Sequence, residues 1–206
     1  MKRLFLLGLA ALLTLSMLSG CSQPATDMQL DKEKDGGTNT LGVQDTIQPV
    51  ASKTATSVGD FKAQDLAGNT VTKDIFSNYD LTLVNVFTTW CSPCIEEIPE
   101  LNEVYKEMAD KKVNVIGIVL DVNEDGKIDS SKMDKLNKII ESTKAEYMVL
   151  LPDDVLRTGL LKDISSVPQT FFVDKDGNIV GETYLGSRNK SEWLKVIETE
   201  QKNLGS

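Results

Sequence analysis

The chain has 206 residues, 40% of them hydrophobic and 26% charged, with a formal net charge of -9 and no histidine. That is room for one domain of ordinary size plus extensions, and an acidic chain without a basic stripe is poorly suited to nucleic acid, whose phosphates must be neutralised. The missing histidine removes the commonest metal ligand and the usual neutral-pH base, and with them Ser-His-Asp and Cys-His catalysis.

The first segment, MKRLFLLGLAALLTLSMLSGC, opens with Lys2 and Arg3, runs apolar from Leu4 to Leu18 and narrows to small residues before Cys21. A charged start, an apolar middle and a small-residue exit predict an export leader over residues 1–20. Leu18-Ser19-Gly20-Cys21 resembles the bacterial lipobox. The resemblance implies that Cys21 is acylated and that the mature chain is held on the extracytoplasmic side of the plasma membrane. More than one acyl chain on a single residue anchors far more firmly than one alone. From Ser22 to about Ser57 there is little apolar content and no aromatic residue, and DKEKDGG is charged and ends in glycine. Residues 21–58 are therefore expected to form a tether, with a coil span of ~30 to 35 Å.

The folded domain is expected over 59–206. FKAQDLAGNTVTKDIF alternates apolar and polar residues around Ala67-Gly68-Asn69, the pattern of a small hairpin. LTLVNVF, from 81 to 87, is a nearly continuous apolar run that suits a strand buried on both faces. After it, Ile98, Leu101, Val104, Tyr105 and Met108 recur at helical spacing. VNVIGIVLDV predicts a second buried strand, and KMDKLNKIIEST a helix with Met133, Leu136, Ile139 and Ile140 on one face. EYMVLL follows as a strand, then a short helix over Val155 to Ile164. TFFVDKDGNIVGETY is a hairpin turning at Asp176-Gly177, and NKSEWLKVIETEQKNL closes the chain as a helix. Strands alternating with helices, with a hairpin near the end, define an α/β domain with a mixed sheet.

With Cys21 assigned to lipid, Cys91-x-x-Cys94 is the only remaining pair. Outside the cytoplasm such a pair forms a disulfide unless electrons are supplied. It could exchange electrons, clip a metal or staple the chain. So short a loop gains little from closure, and two thiolates without histidine do not complete the usual four-ligand site. Exchange needs a reachable thiolate with a second thiol close behind it. Cys91 stands after a buried strand at a helix start, where the dipole and free N–H groups favour a thiolate. Pro93 fits the first turn of that helix. Cys94, one turn in, is more shielded, so Cys91 is expected to attack and Cys94 to resolve.

VNVFTTWCSPCIEEIPEL resembles the active-site stretch of thioredoxin-fold proteins, above all the TlpA/ResA-like extracytoplasmic disulfide reductases. Pro99 matches the proline within the active-site helix, SVPQTFFVDKDGNIVG the cis-proline strand and hairpin, and Gly186 the glycine that lets substrate approach. The strand and helix between Val113 and Asp153 match the insertion of this branch. The resemblance spans the folded part and implies a thioredoxin-like fold with Trp90, Val167 and Pro168 framing the substrate chain. It also implies disulfide-bonded exported proteins as substrates and a CcdA-like membrane electron donor. No cofactor or metal is expected beyond the Cys91–Cys94 disulfide. Thioredoxin carries a buried aspartate six residues before its first cysteine, where this chain has Asn85. The TlpA/ResA branch has a glutamate three residues after the second cysteine, and Glu97 stands there. Glu97 lies about 60° round the helix from Cys94, which fits a proton relay; the alternative is an ordinary surface acid.

One pattern competes. DVNEDGKIDSSK sets Asp121, Asn123, Asp125, Gly126 and Asp129 at calcium-loop spacing, but Lys132 stands where a bidentate glutamate is required. A polar loop leading into a helix accounts for the same residues. The sequence thus favours a membrane-anchored protein-disulfide reductase. The alternatives are a thiol oxidase, or a tethered lipoprotein that only binds partners.

Overall fold

A computed structural model describes residues 57–205. The expected leader, Cys21 and all but the last two residues of the expected tether lie outside that range. Within it, β1 (Ala63–Asp65) and β2 (Thr70–Val71) form the first hairpin, followed by a single 3-10 turn over Lys73–Phe76. β3 (Leu81–Phe87) leads into α1 (Ser92–Met108), and β4 (Val113–Val119) into α2 (Ser130–Thr143). β5 (Met148–Leu151), α3 (Asp154–Thr158), β6 (Gln169–Asp174), β7 (Ile179–Leu185) and α4 (Lys190–Leu204) complete the domain.

The seven strands form one sheet in the order β2-β1-β5-β4-β3-β6-β7. β3, β4 and β5 are parallel, joined by helical crossovers; β1 runs antiparallel to β5, and β6 and β7 return antiparallel beside β3. All seven residues of β3 and of β4 are buried, as expected of parallel strands covered on both faces. Alternation sends Leu81, Leu83 and Phe87 to the core shared with Ile98, Leu101 and Val104 of α1, Leu136 of α2 and Trp193 and Ile197 of α4. Val84 and Val86 point the other way, to a second core with Phe61, Phe76, Leu156 and Phe171. Ser57 already bridges to Asn178, and Val58 is buried.

This is the thioredoxin-like α/β arrangement. Some expected elements are shorter than the periodicity indicates. α3 stops at Thr158 because Gly159 follows it with φ -99 and ψ -101, outside helical geometry, and residues beyond it continue as turns. β4 likewise ends at Val119, where Leu120 to Val122 leave the ladder for a loop.

Candidate active site

β3 ends at Phe87, the chain turns through Thr88–Trp90, and Cys91 becomes the N-cap of α1. Its sulfur takes the capping role, accepting the Cys94 N–H at 3.3 Å. Pro93 sits in the first turn, where no N–H is needed. Pro99 lies inside the helix, which continues to Met108. The two cysteines are joined in a disulfide with Cα atoms 5.3 Å apart. Cys91 keeps 4% of its surface exposed and Cys94 none. A reacting sulfur arriving from solvent therefore meets Cys91.

The Val167–Pro168 peptide is cis, and the Val167 carbonyl oxygen lies 3.7 Å from Cys91 Sγ. Gly186, at φ +78, donates its N–H to the Pro168 carbonyl at 3.0 Å, which ties the end of β7 to this loop. Trp90 is 65% exposed beside the cysteines, so it contributes a surface edge and not core packing. A cleft of 450 Å³ opens here, walled by Thr88, Trp90, Leu120, Ile164 and Val167.

Glu97 lies one turn beyond Cys94 and is only 2% exposed, so it is not a surface acid. Its Oε1 accepts the Arg188 backbone N–H and the Trp193 Nε1–H, each at 2.8 Å. Its Oε2 accepts Asn85 Nδ2–H at 3.1 Å, and the same amide donates to Thr170 Oγ1 at 3.0 Å. Burial pushes the Glu97 carboxyl above its ordinary value, against the lowering effect of these donors and of the Arg188 charge. The Arg188 guanidinium lies 5.2 Å from the ring centres of both Tyr184 and Trp193. Glu97 meets solvent at a cleft of 190 Å³ that it shares with Glu96, Glu100, Ser187, Arg188 and Asn189. Arg188, Trp193 and Thr170 carry no sequence signal for this site: they arrive from a loop, a helix and a strand more than 70 residues away from Glu97.

The calcium-like stretch is otherwise engaged. Asp121 accepts from Thr89, Asn123 is bonded to Arg157 and Pro152, and Asp129 caps α2. Among the described residues no cluster of acids or thiols is arranged around a metal position.

A capping cysteine joined to a second one turn deeper, facing a cis-proline loop across the end of a central strand, defines a thioredoxin-like thiol-disulfide oxidoreductase. The chain belongs to the AhpC/TSA family, which it matches over residues 54–181, and within the thioredoxin-like proteins it is of the TlpA/ResA-like kind. It is 30% identical over 151 residues to the thiol:disulfide interchange protein DsbE of Haemophilus influenzae, covering 73% of this chain and 72% of that one. It is 27% identical over 143 residues to the thiol-disulfide oxidoreductase ResA of Bacillus cereus, covering 66% and 74% respectively. The solution structure of a thiol:disulfide interchange protein from Bacteroides sp. superposes with a TM-score of 0.56 at 25% identity, covering 72% of this chain and 90% of the other. StoA from Bacillus subtilis, at 19% identity and a TM-score of 0.52 over 68% of this chain and 96% of that one, shares the fold.

Proposed function

We propose that this enzyme is a lipid-anchored, extracytoplasmic reductase of protein disulfides. The Cys91 thiolate attacks one sulfur of a substrate disulfide, forming a mixed disulfide and releasing the other substrate sulfur as a thiolate. Cys94, its proton passed to Glu97, then attacks Cys91 Sγ. That step breaks the mixed disulfide, releases the second substrate sulfur and leaves the Cys91–Cys94 disulfide, two electrons having moved to the substrate. Trp90, Val167 and Pro168 frame the substrate chain, with the Val167 backbone offering strand-like hydrogen bonds. A CcdA-like membrane thiol donor returns the enzyme to its dithiol form. Residues 1–20 are the leader, Cys21 the lipidated residue, 21–58 the tether and 59–206 the catalytic domain.

The observation that carries the division of labour is the difference in access: 4% exposure at Cys91 beside the Val167 carbonyl, and none at Cys94. The reductive direction is supported by CSPC, which has no histidine between the cysteines, and by Glu96, Glu97 and Glu100, whose charges disfavour a thiolate. Cys94→Ser is expected to accumulate mixed disulfides through Cys91, whereas Cys91→Ser traps nothing. Equal recovery of trapped partners from both variants would sink the assignment.

A further inference from the structure

The Asp- and Asn-rich loop after β4 has no part in the chemistry above, yet it is bound to the active-site turn. Asp121, 3% exposed, accepts the Thr89 backbone N–H at 2.9 Å on one oxygen and the Thr89 Oγ1–H at 2.7 Å on the other. Thr89 is itself 2% exposed and stands two residues before Cys91. We propose that Asp121 is a positioning residue for Cys91, acting through Thr89; the inference rests on Cys91 being the attacking thiol.

The Thr88–Trp90 turn belongs to no strand or helix and closes on the long Cys91 N–H bond to the Thr88 carbonyl at 3.4 Å, so contacts from outside the turn help to set its direction. Trp90 projects into solvent and does not hold it by burial. Two bonds to one carboxylate, from the backbone and the side chain of the same residue, fix both the peptide plane and the rotamer of Thr89. Without that acceptor the buried Thr89 N–H would be left unpaired, which is costly for a donor removed from water. Orientation matters because Cys91 shows only a sliver of surface, and an error of ~1 Å in placing a reacting atom can cost ~10²-fold in rate.

Asp121 is held in turn. Leu120 donates its N–H to the Phe87 carbonyl at 3.0 Å, which pins the end of β4 to the end of β3. Arg157 Nη2 donates to the Leu120 carbonyl at 3.2 Å and to Asn123 Oδ1, while Asn123 Nδ2 donates to the Pro152 carbonyl at 2.8 Å. A guanidinium from α3 thus braces the loop that a calcium ion would organise elsewhere. The Lys132 ammonium at the start of α2 is paired with Glu124 at 3.0 Å and not with Asp121.

The test uses the full chain with the variants Asp121→Ala, Thr89→Val and Thr89→Ser. It reads kcat and KM for insulin reduction, and the rate of Cys91 alkylation by iodoacetamide against pH. Asp121→Ala is expected to lower kcat by about 10²-fold with little change in KM. Thr89→Val, which keeps the backbone bond and loses the hydroxyl, should lower it by about 10-fold. Thr89→Ser retains both donors and should restore the rate, and both damaging variants should shift the alkylation profile. If Asp121→Ala does not fold, the Thr89 pair decides. A folded Thr89→Val with wild-type kcat and alkylation profile overturns the proposal, as does a loss of melting temperature with neither readout moved. Absence of insulin turnover by the wild type would instead count against the reductase reading itself.

Discussion

Glu97 is a carboxyl group in a place where a charge is costly, and its three donors offset only part of that cost. Because its pKa is raised in the folded state, the unfolded chain gives up this proton at lower pH than the native one does. The stability it contributes is therefore greatest below the ordinary carboxylate range and is lost as pH rises through the raised folded value. Glu97→Gln removes that dependence. Urea melts of the oxidised protein across pH 4 to 8 should show wild-type stability falling relative to the variant as pH increases; parallel curves would contradict the shift. The same variant should slow disulfide exchange by about 10²-fold, the scale of a lost acid–base group. Unchanged rates from pH 5 to 9 would remove Glu97 from the mechanism. Trp193→Phe deletes one donor to the carboxylate while keeping an aromatic body, so the Glu97 pKa should climb further. The pH–rate profile should then move upward, and a downward move would be inconsistent with the bond seen at Nε1.

At the scale of elements, α1 supplies the thiol cap and the carboxyl, while α4 supplies the indole that orients the carboxyl. The capping box at Asn189 and Glu192 starts α4 directly after the Arg188 contact. Further along, Glu200 is 1% exposed and accepts from Tyr184 Oη and the Glu182 N–H, binding α4 to β7. Gly181 makes this possible: its φ is +67, and a Cβ there would come within 1.9 Å of Glu200 Oε2. Gly181→Ala should destabilise the domain by more than about 1 kcal/mol, through both strain and displacement of Glu200. Chemical denaturation measures it, and an unchanged midpoint would mean that β7 and α4 part without cost.

At the scale of the whole molecule, the first described residues are fixed to one end of the sheet. Val58 donates to the Gly177 carbonyl at the β6–β7 turn, and β6 runs antiparallel to β3, with Asp174 opposite Leu81. The chain thus joins the sheet at the pole opposite the cysteines, ~20 Å away along a strand of this length. Under the proposed anchoring, membrane attachment rests on Cys21. Cys21→Ala should abolish acylation and release the protein from membranes, and lipid still found by mass spectrometry would refute it. The direction of electron flow also belongs to the whole molecule. No lysine or arginine lies within ten residues of Cys91 in the chain, and Arg188, which folding brings to Glu97, is stacked on Tyr184 and Trp193. The reduced thiolate should be only moderately stabilised, with a potential of roughly -220 to -280 mV on equilibration with glutathione. A value above about -150 mV would make the protein an oxidase.

The strands, the helices and the cysteine pair were legible in the sequence because each depends on spacing along a few consecutive residues. β3 and the first turns of α1 could be written down from LTLVNVF and TTWCSPC alone, and Asn85 could be marked as unable to titrate. What surrounds Glu97 could not be read that way. Its burial depends on Trp193, Arg188 and Asn85 converging from α4, the β7–α4 loop and β3, and no local pattern encodes which distant donors will meet. Asp121 shows the same limit from the other side. Its spacing resembled a cation loop, and only the closure of β4 against β3 placed its carboxylate on Thr89. Periodicity determines which faces are buried; the packing of those faces decides which polar groups are buried with them and must find partners there.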